Sequence, residues 1–290
     1  MVSMEGVSIV IPVYNEEESI LELLQGLSQF LEKNDIHHEV IVVNDGSKDR
    51  TAEIIRESGL RVELIEHGRN RGYGASLKTG IKSAQYDYVV TIDADGTYHY
   101  QDIKMLLEEA VETDMVVAAR TGHHVSIPFI RRPAKWAITK LANYLTGEHI
   151  PDLNSGFRLL KKNIVNKFVK ILPDGFSFTA TITLAMLTNN YKIKYITTNY
   201  YKRKGKSKIR PIRDTINFVQ LIARTILYFD PLKIFLPVSA IMFFASAVVF
   251  FYTLFFKEKL RDTTVLLLFL TGIILLAIGM LSDVVVKTKE

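Results

Sequence analysis

The chain has 290 residues, 48% of them apolar and 23% charged, which is enough for one large α/β domain with additions or for two small domains. Its formal charge of +5 is gathered in Arg69–Arg71, Arg131–Lys140 and Lys202–Arg213, a clustering suited to phosphates. The absence of cysteine excludes disulfides and thiolate metal sites, and the opening residues run into a strand pattern with no secretory signal expected.

From residue 7 to about 120, strand-like runs alternate with amphipathic ones. Val7–Pro12 (VSIVIP), Glu39–Val43 (EVIVV), Arg61–Ile65 (RVELI), Tyr86–Ile92 (YDYVVTI) and Met115–Ala119 (MVVAA) read as strands; 16–33, 51–57, 75–84 and 101–112 read as helices. The alternation predicts an α/β fold, a doubly wound and mostly parallel sheet covered on both faces, with its ligand site at the carboxyl ends of the strands.

Polar groups follow those strand ends. After the first comes Pro12-Val13-Tyr14-Asn15-Glu16, where Tyr14 can stack on a base and Glu16 can accept from a ribose; the alternative is a plain strand exit with Asn15 capping the next helix. After the second comes Asn44-Asp45-Gly46-Ser47. Asp45 there can accept from a base or ribose, or the stretch can be a turn with Asp49 capping a helix. The third is followed by Gly68-Arg69-Asn70-Arg71-Gly72-Tyr73-Gly74, basic and glycine-rich without the Walker pattern, so either a phosphate loop or, as we favour, a loop whose glycines set its φ angles. The fourth ends in Asp93-Ala94-Asp95. Strand alternation would aim both carboxylates the same way, as a hard divalent cation requires; the alternative is a pair of caps for the helix near Gln101.

Beyond the fifth strand, residues 126–150 mix cations with Trp136, Leu141 and Tyr144 and read either as an interfacial helix or as an ordinary surface helix. Asp152 to Arg158 (DLNSGFR) is dense in polar groups without an obvious local structural reason; it is either a turn alone or, in a transferase, a loop that can line the donor sugar and the acceptor. Residues 201–208 (YKRKGKSK) concentrate cations suited to anionic lipid or a diphosphate. Residues 211–231 carry one apolar helical stripe, and Ile234–Phe256 and Thr263–Ser282 contain no charge, each about the ~20 residues a spanning helix needs. The short polar link 257–262 makes them a hairpin, and the cations before it predict a cytoplasmic main domain.

Taken in order, PVYNE (12–16), NDGS (44–47), DAD (93–95), AR (119–120), NSGFR (154–158) and KRKGKSK (202–208) resemble the family 2 glycosyltransferases of GT-A fold, and more narrowly the polyprenyl-phosphate glycosyltransferases of the dolichol-phosphate mannose synthase group. The resemblance covers residues 7–210. It implies a catalytic domain over 1–210 with 126–150 on the acceptor side, a juxtamembrane helix over 211–231, and a transmembrane hairpin over 232–290. It implies that Pro12, Tyr14, Glu16, Asp45 and Ala94 hold the nucleotide, and that Asp93 and Asp95, with Thr97 where some members have Gln, bind Mg²⁺ or Mn²⁺. Arg120, Arg131 and Arg132 would hold the acceptor phosphate. Asp152, Asn154 and Ser155 would line the sugar, and Arg203 would close over the diphosphate.

The implied reaction moves a hexose from GDP-mannose or UDP-glucose to a polyprenyl (dolichyl or undecaprenyl) phosphate, with inversion, at the cytoplasmic membrane. Its partners are the nucleotide sugar, the polyprenyl phosphate and membrane lipid, with no nucleic acid; self-association stays open. A processive polysaccharide synthase is the nearest alternative, but no Q-x-x-R-W follows Gln220. A non-catalytic nucleotide-sugar binder would not need the DAD pair, and a nucleotidyltransferase would not need the hairpin.

Overall fold

The computed structural model describes residues 5–122, 139–144, 146–201, 220, 223–256 and 262–288. Most of the expected interfacial segment with Arg131 and Arg132, the basic loop with Arg203, and the stripe over 211–219 lie outside the described residues. The chain divides into two compact units, Met1–Phe218 and Val219–Glu290.

The first unit is built on a seven-stranded sheet of β1 (Val7–Val13), β2 (His38–Asn44), β3 (Glu63–Glu66), β4 (Tyr88–Thr91), β5 (Met115–Ala119), β6 (Arg158–Lys161) and β7 (Ile193–Thr197), ordered β3-β2-β1-β4-β6-β5-β7. All pairings are parallel except those of β6, which lies antiparallel to β4 and β5. The central strands β1 and β5 are buried at every residue, as expected where helices cover both faces. Helix α1 (Ile20–Lys33) buries Ile20, Leu23, Leu24, Leu27 and Leu31, a single stripe at helical spacing. Helices α2 (Thr51–Glu57), α3 (Tyr73–Ser83) and α4 (Ile103–Glu109) follow the next strands, and α5 (Lys162–Phe168) and α6 (Phe178–Thr188) separate β6 from β7.

Three sequence expectations are not met by the fold. Asn15 does not cap α1, which begins only at Ile20 behind Ser19. Asn15 is held at φ 55°, accepts from the Lys48 N–H at 2.8 Å and gives its own N–H to Ser47 Oγ at 3.0 Å, so it ties the first strand-end loop to the second. Nor does strand alternation aim Asp93 and Asp95. Strand β4 stops at Thr91, and both carboxylates sit in the turn beyond it. They cap no helix either, because the 3₁₀ turn Tyr100–Asp102 starts behind His99 without a side-chain cap.

In the second unit α7 (Leu232–Phe256) and α8 (Asp262–Lys287) form a hairpin. Ser246 Oγ donates to the Val265 carbonyl at 2.9 Å, and Gly272 and Gly279 let the Phe243 and Phe235 side chains approach closely. The small and polar Ser239, Ser246 and Thr253 are buried while Phe244, Phe255 and Phe256 are exposed. This inside-out distribution, on two helices long and apolar enough to cross a bilayer, is that of a membrane anchor.

Candidate active site

The site gathers at the carboxyl ends of β1, β2, β3 and β4. Main-chain groups two residues apart on a strand face the same side, so Pro12 faces the side on which Val10 accepts from the Ile92 N–H. The β1–β4 ladder ends at Val10–Thr91. Pro12 therefore lacks an N–H where pairing has already stopped, and the two strands part there. This is the topological switch point, since β1 connects to β2 on one side and pairs β4 on the other.

On the β1–β3 side lies a cleft of about 550 Å³, lined among others by Tyr14, Ser47, Lys48, His67, Arg69 and Asn70. Its walls are stiffened from below. Asn44 Oδ1 accepts from the Ser47 N–H at 3.0 Å, forming the turn in which Gly46 takes φ +70°. A Cβ on Gly46 would meet the backbone of Arg69, so this glycine also permits the glycine-rich loop to approach. Asp45 is buried. Its Oδ1 accepts from His67 Nδ1 at 2.7 Å and from the Arg71 N–H at 2.9 Å, and its Oδ2 from the Gly72 N–H at 2.8 Å. The carboxylate expected to meet a nucleotide thus shapes the loop that walls the cleft. His67, which sequence reading passed over, is buried between Asp45 and Thr79 Oγ1. Glu16 is half-buried beside the cleft's Tyr14, its N–H held by Thr51 Oγ1 at 2.9 Å, and Ala94 is buried between the two aspartates.

The acidic pair is held by neighbours from three elements. Asp93 Oδ1 accepts from the Tyr73 hydroxyl at 2.9 Å, and the Gly156 main chain is packed so close that a Cβ there would lie 2.5 Å from Asp93 Oδ2. Burial, then the Asp93 charge, pushes the Tyr73 phenol well above its ordinary pKa, so it remains a donor. Asp95 Oδ1 accepts from the Thr97 N–H at 3.1 Å and the Thr97 hydroxyl at 2.5 Å. Thr97, expected as a metal ligand, is fully buried with its hydroxyl turned to Asp95. Among the described residues no cluster of three or more Asp, Glu, His or Cys side chains forms a ready-made metal cage. Two carboxylates without nitrogen or sulfur donors would suit a hard Mg²⁺ or Mn²⁺ ion, with oxygen ligands from elsewhere needed to complete its shell.

Beside this pair, Arg120 and Asp152 are locked together. Asp152 accepts from Arg120 Nε at 2.6 Å, Nη2 at 2.8 Å and N at 3.1 Å, and from the Asn154 N–H at 3.1 Å. The guanidinium also lies 5.1 Å from the Tyr200 ring centre. Burial works against the Arg120 charge, but the bond to Asp152 and the neighbouring Tyr98 carry its pKa well above the ordinary value. Of the expected sugar-lining residues only Asn154 is exposed. Ser155 is sealed in, giving its hydroxyl to the Ala118 carbonyl at 2.6 Å. Arg158 is fully buried and anchors the loop through the Ser155 carbonyl at 2.5 Å and the Leu153 carbonyl at 2.9 Å. Arg158 stands in the NSGFR motif, and a cation two residues after a glycine carries no local sign of such burial.

A mixed sheet in this order, with an acid pair past β4 and a nucleotide-sized cleft past β1 to β3, defines a GT-A-type fold. The same fold is seen in the crystal structure of glucosyl-3-phosphoglycerate synthase from Mycobacterium tuberculosis in complex with Mn²⁺, UDP and phosphoglyceric acid, at 18% identity and a TM-score of 0.61 over 76% of this chain and 78% of that one. The chain belongs to glycosyl transferase family 2, whose family model matches residues 8–169, and residues 230–287 match the GtrB C-terminal hairpin. It is therefore a glycosyltransferase. It is similar to the bactoprenol glucosyl transferase of Shigella phage SfV, 29% identical over 96% of this chain and 92% of that one. It is 28% identical to the prophage bactoprenol glucosyl transferase homolog of Escherichia coli K12, over 97% and 94% of the two chains. The undecaprenyl-phosphate 4-deoxy-4-formamido-L-arabinose transferase of Edwardsiella ictaluri is 31% identical over 60% of this chain and 58% of that one.

Proposed function

We propose that the protein transfers a hexose from a nucleoside diphosphate sugar to a polyprenyl phosphate at the cytoplasmic face of the membrane. The observation that carries this is the Asp93–Asp95 pair at the switch point beside a nucleotide-sized cleft, in a chain that also carries an apolar hairpin. Among the relatives matched nearly end to end are bactoprenol glucosyl transferases, which favours glucose, with UDP-glucose as donor over GDP-mannose and undecaprenyl phosphate over dolichyl phosphate as acceptor.

Charge dictates the mechanism. A polyprenyl phosphate is an anion near neutral pH and needs no strong general base, so the protein's task is to place it and to offset its charge. Arg120 can meet the acceptor phosphate while Asp152 holds the guanidinium plane; Asp152 then positions and does not take a proton. Asp93 and Asp95 would hold Mg²⁺ or Mn²⁺, which would neutralise the charge that builds on the leaving diphosphate. Tyr14 and the cleft walls would hold the nucleoside, and Asn154 would face the sugar. In-line attack at the anomeric carbon inverts its configuration. Arg131, Arg132 and Arg203, outside the described residues, retain by resemblance their roles at the acceptor phosphate and over the diphosphate.

The test is a panel of nucleotide sugars with a short polyprenyl phosphate, with and without Mn²⁺, read by mass spectrometry of the lipid. Hexosylated lipid phosphate formed from UDP-glucose supports the reading. Donor hydrolysis with no lipid product from any sugar refutes it.

A further inference from the structure

Tyr73 is the first residue of α3, directly after Gly72 at φ +107°. The segment before it belongs to the nucleotide cleft, for Arg69 and Asn70 line that cleft and the Arg71 and Gly72 N–H groups are bound by Asp45. The segment after it is pinned to a distant turn, with the Ala75 N–H on the Asp174 carbonyl at 3.0 Å and Lys78 Nζ on the Leu172 carbonyl at 3.1 Å. The Tyr73 ring is stacked on Phe176, centroids 5.6 Å apart and planes 18° apart, and Phe176 is 69% exposed. The hydroxyl ends 2.9 Å from Asp93 Oδ1. At the same point a Cβ on Gly156 would be 2.5 and 2.6 Å from the two Asp93 oxygens and 2.7 Å from the Tyr73 hydroxyl. Two segments distant in sequence, around Tyr73 and Gly156, thus converge on one carboxylate, and the glycine leaves room for it.

We propose that Tyr73 is a positioning residue for the cation site: its hydroxyl, fixed by the stack on Phe176 and the pinned start of α3, sets the rotamer of Asp93 against the Gly156 main chain. The proposal rests on the reading of Asp93 and Asp95 as cation ligands. A carboxylate side chain in a site this small has few alternatives, and a donor 2.9 Å from one oxygen selects among them before any ligand arrives. A phenylalanine keeps the ring and the stack but removes the selection.

Mn²⁺ binding to the full-length protein in detergent, followed by the electron paramagnetic resonance signal of the free ion with UDP present, tests this without turnover. Tyr73→Phe is expected to raise the Mn²⁺ dissociation constant about tenfold while UDP binding without metal stays within about twofold, which also reports that the cleft is folded. Gly156→Ala, which displaces the same carboxylate, is expected to give a similar loss, and the double variant no more than the worse single one, because the two substitutions remove the same placement. Tyr73→Phe binding Mn²⁺ like the parent, or losses that multiply in the double variant, would overturn the proposal. If Asp93→Asn also binds Mn²⁺ like the parent, the cation-site reading itself falls, and the Tyr73 proposal falls with it.

Discussion

Asp152→Ala removes one carboxylate and breaks four hydrogen bonds at once, three from Arg120 and one from the Asn154 main chain. Asp152 is 2% exposed as a side chain and Arg120 is 21% exposed. Stranding one partner of a buried ion pair costs about 3–5 kcal/mol. Water can reach the guanidinium, so the low end applies, about 3 kcal/mol, against a total domain stability of about 5–15 kcal/mol. For a domain of this size that is a fall in Tm of about 6–12 °C. Thermal unfolding of the full chain in detergent reads it directly. The double variant Arg120→Met with Asp152→Ala should recover about 2 kcal/mol relative to the sum of the singles, since neither charge is then left alone. In activity, Asp152→Ala should raise KM for the polyprenyl phosphate more than KM for the nucleotide sugar, because Arg120 loses its placement. An Asp152→Ala protein that melts with the parent, or single-variant effects that simply add, would refute the reasoning.

The other predictions concern the acid pair and one orphaned hydroxyl. Asp95→Ala should abolish lipid glycosylation with the chain still recovered in membranes, and chelation of the parent should do the same until Mg²⁺ or Mn²⁺ is restored; product formed by washed, metal-free enzyme would contradict this. Thr97→Val keeps the buried volume but removes the bond to Asp95, so the Mn²⁺ concentration for half-maximal rate should rise several-fold, with stability lowered by only about 1 kcal/mol. The Tyr195 hydroxyl is buried with no hydrogen-bond partner among the described residues, and its pKa is pushed up to about 12, chiefly by burial. Tyr195→Phe should therefore raise stability by about 1 kcal/mol, seen as a higher Tm; a lower Tm would reveal a partner.

Much of the sheet was legible because its strands are continuous runs of β-branched residues. The expected VSIVIP and EVIVV runs lengthen by one or two residues into β1 and β2, and MVVAA is β5 as read. Strand β6 was not legible. Its four residues, RLLK, begin and end in a cation, and nothing local distinguishes them from a loop. Their strand state comes from pairing with β4 and β5, whose edges need partners. The short β7 and the helices before it depend in the same way on neighbours already in place. Within the site, the spacing of Asp93 and Asp95 suits a cation, but strand alternation does not aim them, because β4 ends at Thr91.

Local composition settled which segments could be strands, which could lie in a bilayer, and which strand ends would carry acid, because those properties depend on neighbours one to four residues away. Only the folded chain decided what each polar side chain would be used for. Asp45 and His67 are 22 residues apart, Tyr73 and Asp93 are 20 apart, and Arg120 and Asp152 are 32 apart. A buried polar group must find its partner wherever the packed backbone delivers one, and in this protein the partner lies across the sheet edge rather than along the chain.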